Sequence, residues 1–478
     1  MSTRPPRPWR RSPDAFLSDV EQVLPWVEKH LADGEHDAPW SDVAPGTILA
    51  AIPDHPPIAP DPLDAVLRDL NEYIKPGLVR WDTPGWMAWF PCNAHPDSII
   101  GDLLSSVMSQ QGMLWLSSPA CTELEMRMME WMRKSIGLPD QFAEGGDGGG
   151  VIQDTASSAV LATLVAARER ATNGQVNEHG PSAAEGLVAY CSNQAHSSMA
   201  KAVGITGIGR ANLRSIPTDQ NYCMDIDAFQ TQVEADLHAG LKPFFCSATV
   251  GTTASGAFDP VEAISAICQS HDMWLHVDAA WAGSAAISPT HRDLIIAGAA
   301  QADSWCFNPH KWLGAVFDCC CLWVADRRAL TTAMAIDPEY LRNKQSEEGH
   351  VIDYRDWHVQ LGRRFRALKL WLLLRRTGVS ALAKMIDHHI ELAASLEHAI
   401  ASMPHLELAA PRSLSLVCAR HRNGDAATQA LLQRINNSGR FAVTHCSLNN
   451  TLVIRFAIGT LSVEDFDIEA LIDLITTT

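Results

Sequence analysis

Residues 301–326 read QADSWCFNPHKWLGAVFDCCCLWVAD, two apolar runs joined by a turn that carries one lysine, Lys311, between His310 and Trp312. Apolar runs of four to eight residues bounded by polar turns are what strands look like when a sheet is covered on both faces. Lysine is seldom buried, because taking an ammonium out of water is costly unless it is paired or neutralised. A lysine three residues beyond the run SWCFN (304–308) therefore calls for a chemical reason.

Outward from that stretch, GLVAYCS (186–192), PFFCSATV (243–250), MWLHVDA (273–279) and CCCLWVA (319–325) have the same character. They alternate with helical periods from about residue 95 to 369, which predicts an α/β domain built on a largely parallel sheet. In FDPVEAISAICQSHD (258–272) Asp259 reads as a helix N-cap, Pro260 as the first helical residue and Glu262 as the close of a capping box, with Ile264, Ile267 and Cys268 as the buried stripe. The Met-rich TELEMRMMEWMRKSIG (122–137) reads as core or subunit interface. EGGDGGG (144–150) reads most simply as a flexible loop.

Residues 1–94 combine amphipathic helices, AFLSDVEQVLPWVEKHLADG (15–34) and PLDAVLRDLNEYIKPGL (62–78), with proline-rich connections. Such a segment has little core of its own and is expected to pack on something else, a second subunit being one option. Residues 370–478, which include TLVIRFAIG (451–459), read as a smaller C-terminal α+β domain.

Bulk properties exclude several partners. A chain of 478 residues exceeds what one core usually supports. Its net charge of −18, with no basic stripe, argues against nucleic acid and anionic membranes. The twelve cysteines include no Cys-x-x-Cys pair, so reduced thiols in a cytoplasmic setting are expected, and no metal site. Neither a signal-peptide core nor an uninterrupted apolar span of 18 residues is found.

Ligands of an open parallel sheet bind beyond the carboxyl ends of its strands. The loops there are NQAHSSMAK (193–201), GTTASG (251–256), VDAAWAG (277–283) and NPHKW (308–312). They bring His196, Thr252 or Thr253, Asp278, His310 and Lys311 to one edge. Asp278 and Lys311 alone would also suit a structural ion pair. In GGGVIQDTASSAVLATLVAARER (148–170), however, a Thr-Ala-Ser-Ser turn opens a helix and offers N–H groups, hydroxyls and a positive dipole end to an anion. A phosphate cradle, a buried carboxylate and a desolvated lysine are together what pyridoxal 5′-phosphate requires: an amine for its aldehyde, an anion for its pyridinium and donors for its phosphate.

The stretches WMAWFP (86–91), SPACTELE (118–125), GGGVIQDTAS (148–157), QAHSSMAKA (194–202), HVDAAWAGSA (276–285), ADSWCFNPHKW (302–312), DPEYLRN (337–343), DYRDWHVQLGRRFRALKLW (353–371) and RFAIG (455–459) extend the match. In this order they resemble the pyridoxal-phosphate-dependent group II decarboxylases, and within them the aromatic-L-amino-acid decarboxylase family. The resemblance implies the fold-type I, aspartate aminotransferase-like architecture, pyridoxal 5′-phosphate as cofactor, and an obligate homodimer whose N-terminal helices pack across the interface. It implies that Lys311 carries the cofactor and Asp278 faces its pyridine nitrogen. His196 would stack on the ring, and Thr155, Ala156, Ser157, Thr252, Ala280, Asn308 and His310 would complete the cofactor contacts. Without the family, His196 reads equally as a helix-capping histidine and Thr252 as a turn former.

The resemblance also makes Tyr340 the proton donor to the substrate's α-carbon. By itself Tyr340 reads equally as an aromatic anchor of a surface loop. Relatives that form aldehydes with oxygen typically have phenylalanine in place of the tyrosine or asparagine in place of the histidine. Retention of Tyr340 and His196 therefore favours simple decarboxylation of an aromatic amino acid to its amine, the alternatives being the aldehyde-forming reaction and decarboxylation of a non-aromatic amino acid. Trp86, Trp89, Phe90, Pro91, Trp281 and Gly362 are the substrate-pocket candidates. The family often shows SASEAT and VDAAYAG where this chain has TASSAV (155–160) and VDAAWAG, so Trp281 replaces a pocket tyrosine.

Overall fold

The structure, a computed structural model, describes residues 11–34, 37–336, 338–341, 344–347 and 351–476. Each apolar run identified above is a strand. β1 (Gly149–Gln153), β2 (Leu187–Ser192), β3 (Leu213–Ile216), β4 (Lys242–Thr249), β5 (Trp274–Asp278), β6 (Ser304–Phe307) and β7 (Cys320–Val324) form one sheet in the order β1-β7-β6-β5-β4-β2-β3. Every residue of β1, β2, β5, β6 and β7 is buried, which is why these segments read as continuous rather than alternating apolar runs.

Pairing is parallel from β3 through β6, while β7 runs antiparallel to both β6 and β1. β1 therefore points the same way as β5 and β6, and its end delivers Asp154 and Thr155 to the edge that receives the β4, β5 and β6 loops. Register makes the edge compact, since Thr249 lies opposite Asp278 and Asp278 opposite Cys306. Helix Ala156–Thr172 covers one face of the sheet. Helix Pro119–Ile136 packs beside β1 and buries Met128, Met129 and Met132, so these three methionines are core, with Met126 partly buried.

Two local expectations are corrected. Helix Val261–Ser270 begins one residue later than predicted, after Pro260, and Asp259 does not cap it. The Asp259 carboxylate instead accepts the N–H groups of Met224 and Thr249 at 2.8 Å each, two buried donors that would otherwise be orphaned. EGGDGGG is not simply a flexible loop, because Gly149 and Gly150 belong to β1. A Cβ on Gly150 would lie 2.6 Å from the Met129 methyl and 2.8 Å from the Trp323 ring, so close packing accounts for that glycine.

A second, four-stranded antiparallel sheet lies near the C-terminus: β8 (Leu406–Leu408), β9 (Leu416–His421), β10 (Thr444–Leu448) and β11 (Thr451–Ala457), in the order β10-β11-β9-β8. Helices Val379–Ser402, Asp425–Asn436 and Asp465–Thr476 share its core. The N-terminal helix Pro13–Asp33 buries none of its residues.

Candidate active site

The strand ends enclose a cavity of about 200 Å³ lined by residues from six segments: Phe90; Thr155, Ala156 and Ser157; His196; Thr249, Gly251 and Thr253; Asp278, Ala280 and Trp281; and Asn308, His310 and Lys311. Lys311 follows β6 because the chain turns sharply at Asn308, whose C=O accepts the Lys311 N–H at 3.0 Å. Burial lowers the Lys311 pKa from the usual lysine value, and the Asp278 carboxylate only partly opposes the shift. The two do not close to ion-pair distance. Asp278 Oδ1 accepts the Ala280 N–H at 3.0 Å, which fixes the carboxylate at the end of β5.

The remaining polar groups are oriented from behind. His196 Nδ1 accepts the Ser198 N–H at 3.2 Å, so the neutral ring carries its proton on Nε2. Burial holds its pKa below the ordinary value. His310 Nδ1 accepts the Cys319 N–H at 2.9 Å, and burial, reinforced by the Lys311 charge, pushes its pKa down to about 4. Thr155 caps helix Ala156–Thr172 through its hydroxyl, leaving the Ala156 and Ser157 amides at the dipole end. The Asn308 side-chain oxygen is buried without a hydrogen-bond partner on the cavity wall.

An aromatic slab closes one side. Phe90 stacks on Trp281 at 4.4 Å and Trp281 on Trp312 at 5.2 Å, with Trp312 donating its indole N–H to His389. Lys311 Nζ stands 5.4 Å from the Phe90 ring centre.

Other candidates lie elsewhere. Thr252 is fully buried behind the wall, its hydroxyl bonded to Ser255 and to the Ala257 N–H, and Gly251 and Thr253 face the cavity instead. Trp86 and Trp89 join Trp40 and Trp81 in a cluster of four indoles, with Trp86 fully buried and Trp89 46 % exposed. Pro91 is buried next to Gly459. Gly362 is exposed beside Gln111 and does not border this cavity. Tyr340 falls in the short turn Glu339–Leu341, and its side chain lies outside the described residues.

Sequence reasoning passed over Arg455, although it stands in the quoted RFAIG. Its guanidinium sits 5.1 Å from the Phe90 ring centre and donates to the Ala254 and Trp89 carbonyls and the Thr444 hydroxyl. It is buried with no carboxylate partner among the described residues, and desolvation lowers its pKa. A buried cation left unpaired by the protein is suited to an anionic ligand.

These groups fit pyridoxal 5′-phosphate: a lysine whose pKa is lowered by burial, a fixed carboxylate, a helix start with free amides, and an orphaned Asn308 oxygen awaiting a donor. Comparison with known proteins agrees. Residues 45–422 match the pyridoxal-dependent decarboxylase conserved domain. The chain is 42 % identical over 439 residues to tryptophan decarboxylase 2 of Oryza sativa subsp. japonica, covering 90 % of this chain and 87 % of that one. It is also 42 % identical over 428 residues to a phenylacetaldehyde synthase of Arabidopsis thaliana, covering 88 % and 86 %. The crystal structure of Oryza sativa TDC with PLP and tryptamine superposes with a TM-score of 0.94 at 36 % identity, covering 98 % of this chain and 99 % of that one. The chain belongs to the pyridoxal-dependent decarboxylase family.

Proposed function

We propose that the protein decarboxylates an aromatic L-amino acid, tryptophan, tyrosine, DOPA or phenylalanine, to the arylalkylamine and carbon dioxide. The observation that carries this reading is the placement of Lys311 and Asp278 in one small cavity with the Phe90–Trp281 slab as its wall. Apolar burial and offset stacking on those rings favour an aromatic side chain. Bound pyridoxal 5′-phosphate supplies the electron sink for loss of the carboxylate. Lys311, whose pKa burial lowers, would be the amine that receives the cofactor. Asp278 would favour a protonated pyridine nitrogen, and the amides of Ala156 and Ser157 with the Thr155 and Ser157 hydroxyls would hold the phosphate. His196 offers its ring to one face of the site, and Tyr340 returns a proton to the substrate's α-carbon.

A homodimer with shared active sites accompanies this reading. Ile99, Ile100, Leu103, Leu104, Val107 and Met108 expose an apolar face on helix Pro96–Met108, the kind of surface that a partner covers. The position of Gly362 away from its own chain's cavity is consistent with service to a second subunit's site. All twelve cysteines are free, as a reducing cytoplasm would keep them, and among the described residues no helix is long and apolar enough to cross a membrane.

The test is to record the absorption spectrum of the purified protein, then supply L-tryptophan, L-tyrosine, L-DOPA and L-phenylalanine separately and quantify amine, aldehyde and peroxide. Amine without stoichiometric peroxide is expected. Aldehyde with peroxide would make the chain an aldehyde former like the Arabidopsis relative, in spite of Tyr340 and His196. Absence of a cofactor band and of any product would end the proposal.

A further inference from the structure

Asp154 stands between the end of β1 and the helix start proposed to hold the cofactor's phosphate, and its carboxylate is engaged on both oxygens. Oδ1 accepts the Thr155 N–H at 2.6 Å and the Thr155 hydroxyl at 3.3 Å. Oδ2 accepts Nε2 of Gln360 at 3.3 Å, and Gln360 is in turn fixed by its N–H to Nδ1 of the buried His358 at 3.1 Å. No lysine or arginine pairs with Asp154 among the described residues. A fixed, half-buried anion thus sits behind Thr155, a residue of the cavity wall, and occupies donors of the kind a phosphate would use.

Two physical consequences follow. A phosphate with nearly two negative charges is repelled by a carboxylate one residue away, a repulsion that salt weakens. The Thr155 donors also have to be exchanged from carboxylate to phosphate before they hold the cofactor. We propose that Asp154 is a built-in competitor for the cofactor's phosphate, held in place by Gln360, which loosens the grip on pyridoxal 5′-phosphate and makes cofactor occupancy responsive to cofactor supply. The proposal rests on Thr155–Ser157 being the phosphate cradle. It assigns Asp154 an effect exerted through Thr155, not contact with the reacting atoms.

The test is binding to the apoprotein, followed by growth of the cofactor's absorption band, with pyridoxal 5′-phosphate and pyridoxal titrated in parallel. The ratio of the two dissociation constants isolates the phosphate, because effects on the fold or on Lys311 enter both. Asp154→Asn, a neutral isostere, is expected to shift the ratio about tenfold in favour of the phosphorylated ligand at low salt, and the gain should shrink at high salt. Gln360→Ala, which frees the carboxylate to turn toward water, should move the ratio the same way by less. An unchanged or smaller preference for the phosphate in Asp154→Asn overturns the proposal. Ser157→Ala tests the foundation separately. If it lowers the phosphate preference while Asp154→Asn leaves it unchanged, only the competitor role fails; if it has no effect, the cradle reading fails as well.

Discussion

Lys311, proposed above as the amine that receives the cofactor, sits in surroundings that set the pH at which it is reactive. Burial lowers its pKa, so the free amine is present at lower pH than for a lysine in water. Capture of the cofactor aldehyde by the apoprotein should therefore rise with pH through a midpoint below the ordinary value near 10.4, followed by stopped-flow absorbance. A midpoint at the ordinary value would mean that the cavity does not desolvate Lys311. Lys311→Ala should lose both the protein-bound cofactor band and amine formation while keeping its circular dichroism spectrum. Lys311 and Asp278 could be singled out in the sequence because each lies at or just beyond the end of an apolar strand, where a buried charge calls for a partner or a ligand, and the structure brings both to one cavity. Arg455 was not, because its meaning depends on β11, from the other sheet, coming within reach of Phe90, and no local pattern encodes that approach.

Among elements, the segment 351–363 is tied down by a buried pair. Arg363 donates to both oxygens of Glu125, at 3.0 and 2.6 Å, and to the Ile152 carbonyl, while Glu125 accepts the Ile152 N–H. Both side chains are almost completely buried, so removing one strands the other's charge. Arg363→Met should cost roughly 3–5 kcal/mol in urea unfolding, whereas loss of the exposed Arg68–Asp64 pair should leave stability nearly unchanged. The strands were readable because burial on both faces leaves a plain apolar signature. The start of helix Val261–Ser270 was misread because a tertiary demand, two buried N–H groups next to Asp259, outbid the local capping preference. The glycines of 148–150 were misread for a similar reason, since composition does not reveal which rings press against a backbone.

For the whole molecule, the exposed apolar face of helix Pro96–Met108 carries the assembly prediction. Leu103→Glu combined with Val107→Glu places two charges on that face without touching the core of either sheet. The variant should sediment as a monomer and lose most activity, because a shared site would be left half-built. A variant that sediments as the wild type does, with full activity, would show that this face is not the interface. The net charge of −18 opposes close approach of two copies, so association should strengthen as salt screens it.

The stacked wall of the cavity also has an optical consequence. Trp281 and Trp312 are adjacent indoles, and Trp281 lines the cavity that Lys311 enters. A conjugated pyridine held there absorbs where indoles emit, so loading should dim the protein's intrinsic fluorescence through energy transfer from its own wall. Trp281→Phe should remove part of that quenching, and the unlabelled protein would report how much of it is loaded.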